Sequence, residues 1–504
     1  MNSLPALVRL SSLSAGSIPK PMRLSRSNYL SKIKALEVEW DRLCDQYLPI
    51  LPGDDGFWRM SQLARATGLT QGFKLHVSAS ILNACDILVA MGDVLQRESI
   101  VFKAPKTLQE VQKLNAGIHY GYSQIGKIFT LYPDSNEQAL YLAALVHAKT
   151  QAYSAPTVPY DLPYAEAGIV YYRYGAFDGT EITQADGTRI GAIRQPDGDL
   201  VPDRRVSGAA IPDWVGNPFP NRLQTDKKRQ SSRLTNYRAY RALAQRGRGG
   251  VYDALDFSTI PMRQCILKEG RKDGEVDFDG RDGFWRVKNE KRVLSVLSER
   301  NIRVPSVIDS FQVGANYYLV TEKIQGVSLQ DKLIKRKRRL PTQQQVCLAV
   351  QLAALVCELH SAGWAWRDCK PGNLILDLQG NLYAIDFEGA CRLGAVEAAD
   401  WGTPEYLSPE RELTQATNLH ENEDLYAMGV TFREIIAGMT SSAGAHTKTP
   451  LKRCRTDQLK ELYDMTEALL SSDPDARPRA WQVCAVLKTL AESLSPSSTA
   501  TRCC

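Results

Sequence analysis

The segment WRDCKPGNLILD, Trp366 to Asp377, followed by LYAIDFEGA, Leu382 to Ala390, decides how the C-terminal half of this chain is read. Phosphoryl transfer needs positioned phosphates, metal-binding carboxylates and a residue that orients the attacking hydroxyl. These stretches supply the last two. Asp368 is placed to orient or deprotonate a substrate hydroxyl and Lys370 to neutralise the γ-phosphate, while Asn373 and Asp386 are placed to hold magnesium. Unrelated surface charges would not keep this order: after Asp368, a Lys two residues on, an Asn five on and an Asp eighteen on.

The flanking sequence completes the set and resembles the protein kinases. In RGRGGVYDALD, Gly247, Gly249 and Gly250 let backbone amides approach phosphate, and Val251-Tyr252 reads as the returning strand. Alone, such a run is more often only a turn. CILKEG then places Lys268 in an apolar strand, against the α- and β-phosphates, and Glu290 of KNEKRVLSVL is its expected ion-pair partner. GTPEYLSPE closes an activation segment, with Glu410 placed to pair with Arg477 of DARPRA and Asp424 of DLYAMGV to anchor the catalytic loop. The implied cofactors are ATP (or GTP) and Mg2+. Trp366 stands where eukaryotic kinases usually carry His, and Glu388 where they carry Gly. Both positions are read as supplying neither phosphate nor metal chemistry, in a kinase outside the regulated eukaryotic group and without activation-loop control.

A chain of 504 residues exceeds one compact core, and two units fit it best. With 43% hydrophobic and 23% charged residues it has the material for sizeable cores, which excludes global disorder. No apolar run approaches the roughly 18 residues of a membrane helix. ALYLAALVHA is broken by polar residues, so no membrane partner is expected. The net charge of +6 is concentrated at the start, where residues 1–36 hold six Lys or Arg and no acid. The remaining body is near neutral, against a nucleic-acid-binding face. The leading stretch has the composition of an organelle transit peptide, but an unstructured bacterial N-terminus is the preferred reading. Eleven Cys without a CxxC pair suit reduced thiols and a cytoplasmic location, and Cys503-Cys504 lack a full prenylation pattern.

The domain plan is a basic disordered tail over 1–36, an α+β unit over 37–220, a linker over 221–240, a kinase-like unit over 241–490 and a disordered tail over 491–504. SASILNACDILVAMGDVL and EQALYLAALVHAKTQ carry helical patterning, while KIFTLYP and GIVYYRYGAF read as strands. EITQADGTRIGAIRQPDGDLVPDRR suits turns and hairpins. The basic connector from Asn221 to Gly250 reads as surface chain leading into a helix and the glycine-rich turn.

Upstream of the kinase, GFKLHVSAS, VFKAPK, GKIFTLYP, VPYDLP, VYYRYGAF and VPDRRVSGAAIPDWVGNPF follow in order. With GGVYDALD and ILKEGRKDGEVDFDGRDG, they resemble the class III lanthionine synthetases over most of residues 55–485. The resemblance implies a phosphothreonine-lyase-like domain followed by a bilobal protein-kinase-like domain. In that family the kinase phosphorylates Ser and Thr of a ribosomal precursor peptide, and the lyase expels the phosphate to leave dehydroalanine or dehydrobutyrine. It further implies Lys103 as the base, His76 as the acid, Lys74, Lys127 and Arg173 as the phosphate cradle, and Asp161 as a residue that orients one of them. A cluster of cations is expected to depress the Lys103 pKa toward the neutral amine. Singly, each is more often a solvated lysine or a core histidine; the ordered set argues otherwise. The family's C-terminal cyclase is expected to have no counterpart here, since no Cys-His dipeptide occurs and the sequence runs only a short way past the kinase. Cyclisation is therefore expected to be absent or left to a separate cyclase or other tailoring enzyme. The alternatives are a signalling Ser/Thr kinase with an N-terminal partner-binding domain, and a scaffold with an inactive kinase fold.

Overall fold

The computed structural model describes residues 26–50, 56–62, 69–177, 179–208, 210–219, 233–335, 339–395, 401–412, 419–438 and 457–494. The first 25 residues of the expected tail, most of the linker, and the C-terminal tail from 495, with Cys503 and Cys504, lie outside them.

The N-terminal unit contains α1 (Arg26–Tyr47), β1 (Trp58–Met60), β2 (Gln71–Val77), α2 (Ala84–Arg97), β3 (Val101–Pro105), α3 (Leu108–Ala116), β4 (Phe129–Tyr132), α4 (Asn136–Thr150), β5 (Leu162–Pro163) and β6 (Val170–Ala176). β2 shows why this sequence forms a sheet with two unlike faces. Successive side chains of a strand point to opposite sides. Phe73, Leu75 and Val77 therefore enter the core with α1, α2 and α4, and Lys74 and His76 face the other way. The antiparallel order β1-β3-β4-β2-β6-β5 puts this strand near the middle. β7 (Glu181–Thr183), β8 (Arg189–Arg194) and β9 (Leu200–Pro202) form a separate three-stranded meander, where turns and hairpins were expected.

α1 corrects the expected boundary of the tail, because it begins at Arg26, inside the stretch 1–36. Tyr29, Ile33, Leu36, Trp40 and Leu43 recur at three- and four-residue intervals and join the core of the N-terminal unit. That stripe fixes the helix despite the surrounding cations.

The C-terminal unit opens with β10 (Tyr237–Arg246), β11 (Gly249–Asp256) and β12 (Arg263–Gly270), then α5 (Gly283–Glu299), β13 (Val307–Val313) and β14 (Asn316–Glu322). Its sheet runs β10-β11-β12-β14-β13, with α5 packed on it. A helical lobe follows: β15 (Gly326–Ser328), α6 (Leu329–Ile334), α7 (Thr342–Ser361), β16 (Trp364–Ala365), β17 (Leu374–Asp377), β18 (Leu382–Ala384), β19 (Cys391–Arg392), α8 (Leu419–Ala437), α9 (Asp457–Leu469) and α10 (Ala480–Leu494). The helix expected before the glycine-rich turn is instead the edge strand β10, paired along its length with β11. Its Ala, Arg, Leu and Gln favour helix by only a few tenths of a kcal/mol each, so the ladder decides.

The two units touch through the segment between β12 and α5. Phe278 is buried in the N-terminal core, edge-on to Tyr29 with ring centroids 6.4 Å apart, and its carbonyl accepts from Lys32 Nζ at 2.9 Å. Ser154 Oγ donates to Asp273 at 3.2 Å, and the Arg271 guanidinium lies 5.3 Å from the Tyr122 ring centroid. Among the described residues no helix is long and apolar enough to cross a membrane.

Candidate active sites

Strand register builds the first site. Lys103 on β3 and His76 on β2 both pair with Thr130 of β4, which puts the three in one row across the sheet. Lys74, two residues before His76 and so on the same face, stands directly opposite Arg173 of β6. Lys127, just before β4, reaches into the same cluster. At its centre the buried Asp161 accepts from Lys127 Nζ at 2.9 Å, lies 2.5 Å from His76 Nδ1 and stands 3.9 Å from Arg173 Nε. It was expected to orient one of these groups and touches three. Arg173 also donates to Asp203 at 2.5 Å and to the Arg204 carbonyl at 3.2 Å.

Burial dominates the electrostatics of this cluster. It lowers Lys74 to about 7, helped by Lys103, Arg173 and Arg205 and opposed by Asp203. It lowers Lys103 to about 8, with Arg205 adding, and Lys127 to about 8, against the pull of Asp161. The cause expected for Lys103, neighbouring cations, is thus the lesser one. Its amine sits 4.2 Å from the Trp58 ring centroid. Burial also takes His76 down to about 3, so it rests neutral with Nδ1 facing Asp161. Arg205 and Asp203 were not singled out from the sequence; both stand in the VPDRRVSG stretch, which was the available signal.

The second site lies between the lobes of the C-terminal unit. Lys268 Nζ donates to Glu290 at 2.8 and 2.7 Å and stands 3.5 Å from Asp386 Oδ1; these carboxylates outweigh burial and raise its pKa. Asn373 Nδ2 donates to Asp368 Oδ2 at 2.7 Å, and Lys370 Nζ donates to the same oxygen at 2.8 Å. Thr403, given no role from the sequence, closes this arrangement: its Oγ1 donates to Asp368 Oδ1 at 3.0 Å and accepts from Lys370 at 2.5 Å. The Ile385 amide donates to the Asn373 carbonyl at 2.9 Å, tying the catalytic loop to the segment just after β18 that carries Asp386. Asp424 accepts from the Trp366 and Arg367 amides at 2.7 and 2.6 Å, and Arg477 makes a buried two-pronged pair with Glu410. Trp366 occupies the position of the usual His by stacking on Phe387, with centroids 5.7 Å apart, and by donating to the Asp386 carbonyl at 3.1 Å.

A divalent cation fits this donor set. Asp386 Oδ1 is buried and makes no hydrogen bond, and Lys268, Arg248 and Lys370 hold the carboxyl below its ordinary pKa against the opposing effect of burial.

The carboxylate of Glu388 stands in a group with Glu290 and Asp386 in which one oxygen from each lies within 4.8 Å of the others. One expectation is corrected. The glycine-rich turn does not offer all its amides to phosphate. Gly247 N donates to the Ala116 carbonyl at 3.0 Å, and a Cβ at Gly247 would lie 1.6 Å from the Asn115 carbonyl oxygen. Its amide and its smallness serve the contact with the N-terminal unit. Gly249, at φ +148, holds a backbone conformation that other residues resist.

Residues 52–231 match the family described as RamC, N-terminal domain, and residues 249–492 match the protein kinase domain. The chain joins a RamC-type N-terminal domain to a protein kinase domain. It is 28% identical over 398 residues to a probable SapB synthase of Streptomyces coelicolor, covering 76% of this chain and 41% of that protein. It is 28% identical over 302 residues to serine/threonine-protein kinase F of Synechocystis, covering 54% of this chain and 61% of that one. With PkaB of Streptomyces coelicolor, a further serine/threonine-protein kinase, identity is 29% over 211 residues, half of that protein. The chain thus spans less than two thirds of each of these relatives. The resemblance to the class III lanthionine synthetases holds in both halves, as an α+β N-terminal domain ahead of a kinase with a sheet-rich first lobe and a helical second lobe.

Proposed function

We propose that this chain is a bifunctional peptide dehydratase of lanthipeptide-type biosynthesis. The kinase domain phosphorylates Ser or Thr of a ribosomal precursor peptide, and the RamC-type domain eliminates the phosphate to leave dehydroalanine or dehydrobutyrine. The observation that carries the reading is the single sheet face on which Lys74, His76, Lys103 and Arg173 converge, with Lys127 beside them and Lys103 lowered to about 8.

In the kinase site, Asp368 orients the substrate hydroxyl and takes its proton as the oxygen attacks the terminal phosphate, and Lys370 offsets the charge on the moving phosphoryl group. Asn373 and Asp386 are the residues to hold magnesium, which when bound neutralises phosphate charge. ATP or GTP is the donor. In the lyase site, Lys74, Lys127 and Arg173 hold the phosphate of the modified side chain. Neutral Lys103 takes the Cα proton, the electron pair forms the Cα–Cβ double bond, and the Cβ–oxygen bond breaks to release phosphate. His76 delivers a proton to the departing oxygen. Neutral at rest, it becomes able to do so once the phosphate is bound, since a nearby anion raises an imidazole pKa.

The test uses a chemically phosphorylated peptide, the full chain and no nucleotide. Loss of phosphate with formation of a dehydrated residue is expected. A phosphopeptide that stays intact, while ATP and magnesium yield stable phosphoprotein, would instead favour the signalling kinase that the serine/threonine-protein kinase relatives suggest.

A further inference from the structure

The tightness of the glycine turn leaves a chemical problem. Strand pairing continues to Arg246 and Gly249, so only Gly247 and Arg248 form the turn. A two-residue turn whose first amide is taken by the Ala116 carbonyl has little backbone left with which to wrap a triphosphate.

Arg248 stands at the tip of that turn and its backbone is held, because its carbonyl accepts from the Arg271 amide at 2.8 Å. Its side chain runs inward. Arg248 Nε lies 3.5 Å from Glu388 Oε2, and its guanidinium lies 5.9 Å from the Trp401 ring centroid. Glu388 in turn belongs to the carboxylate group with Asp386 and Glu290, and Lys268 stands 3.5 Å from Asp386. The guanidinium therefore borders the place where metal and terminal phosphates meet. Its partnership there is loose: Glu388 Oε2 is buried, yet makes no hydrogen bond. A planar guanidinium forms far better bonds with two phosphate oxygens than with a carboxylate oxygen at that distance.

We propose that Arg248 is a nucleotide-binding residue of the kinase site, resting on Glu388 and moving to the terminal phosphate of the nucleoside triphosphate when it binds. It supplies from a side chain phosphate contacts beyond those that the remaining backbone amides of the turn can make. This rests on the phosphotransferase reading of the C-terminal half and is independent of the lyase.

The test is the affinity of the full chain for Mg·ATP and Mg·ADP, read by displacement of a fluorescent nucleotide. Losing a charge-assisted contact to phosphate weakens binding roughly 10- to 100-fold. Arg248→Ala is expected to lose that much for ATP and clearly less for ADP, with Arg248→Lys between it and the native protein. The proposal is overturned if Arg248→Ala binds ATP within twofold of the native protein, or loses ATP and ADP equally. Melting curves check folding; should Arg248→Ala not fold, Arg248→Lys decides, and it overturns the proposal if it binds ATP as tightly as the native protein or loses ATP and ADP equally. A native protein that binds no ATP removes the kinase reading itself.

Discussion

Replacing Lys103 by Arg separates a base from a mere phosphate anchor, because arginine keeps the cation and cannot surrender its proton near neutrality. With Lys103 lowered to about 8, about a quarter of molecules carry the neutral amine at about pH 7.5, against about one in a thousand for a lysine at its ordinary 10.5. Burial thus supplies roughly a 200-fold larger population of free base, and losing the base altogether costs about 10²- to 10⁴-fold in elimination rate. The sign follows from the group. Lysine acts as a base only when deprotonated, so elimination at saturating phosphopeptide rises with pH through the Lys103 pKa of the complex, which the bound phosphate raises above the free chain's value of about 8, and then levels. The bound phosphate keeps Lys74 and Lys127 charged over the same range, since an adjacent anion raises an amine's pKa. The assay is mass spectrometry of the peptide under ATP and magnesium. Both Lys103→Arg and Lys103→Ala should accumulate peptide with one phosphate added per modified residue, while the native chain yields peptide that has lost water. If Lys103→Arg keeps more than about a tenth of the native elimination rate, or if the rate falls with rising pH, Lys103 is not the base and the argument fails.

Asp386→Asn and Asp368→Asn should each abolish phosphorylation yet leave elimination from a synthetic phosphopeptide intact, and native-rate phosphorylation by both would refute the kinase assignment. Asp161→Asn leaves Lys127, His76 and Arg173 without their shared buried carboxylate, so a destabilisation of about 3–5 kcal/mol in urea titration of the N-terminal unit is expected, with elimination lost. A chain truncated before Glu37 loses Tyr29, Ile33 and Leu36 from the core and should melt lower than one truncated before Arg26; equal melting would show that the first turns of α1 contribute nothing.

Much of this protein was legible in the chain alone, for reasons that differ between its halves. The kinase residues are legible because the loop holding Asp368, Lys370 and Asn373 is short and local: spacing within it is already geometry, and the observed bonds of Asn373 and Lys370 to Asp368 follow from it. The alternation in GFKLHV likewise placed Lys74 and His76 on one face, because strand periodicity is local too. Pairing partners, burial and contact between units are long-range and were settled only by the tertiary structure. Residues 74, 103 and 173 share one face because β2, β3 and β6 fall into one sheet in one register. Lys103 loses its proton easily because the fold buries it, more than because other cations lie near. The strand β10 formed where local propensity favoured a helix, since its hydrogen bonds are completed by β11. The amide of Gly247 looked free for phosphate until a carbonyl from a strand-and-helix unit more than a hundred residues upstream was found to hold it. A sequence displays the chemistry a residue carries; which donors remain unspent, and how much water surrounds them, depends on every other part of the chain that folds against it.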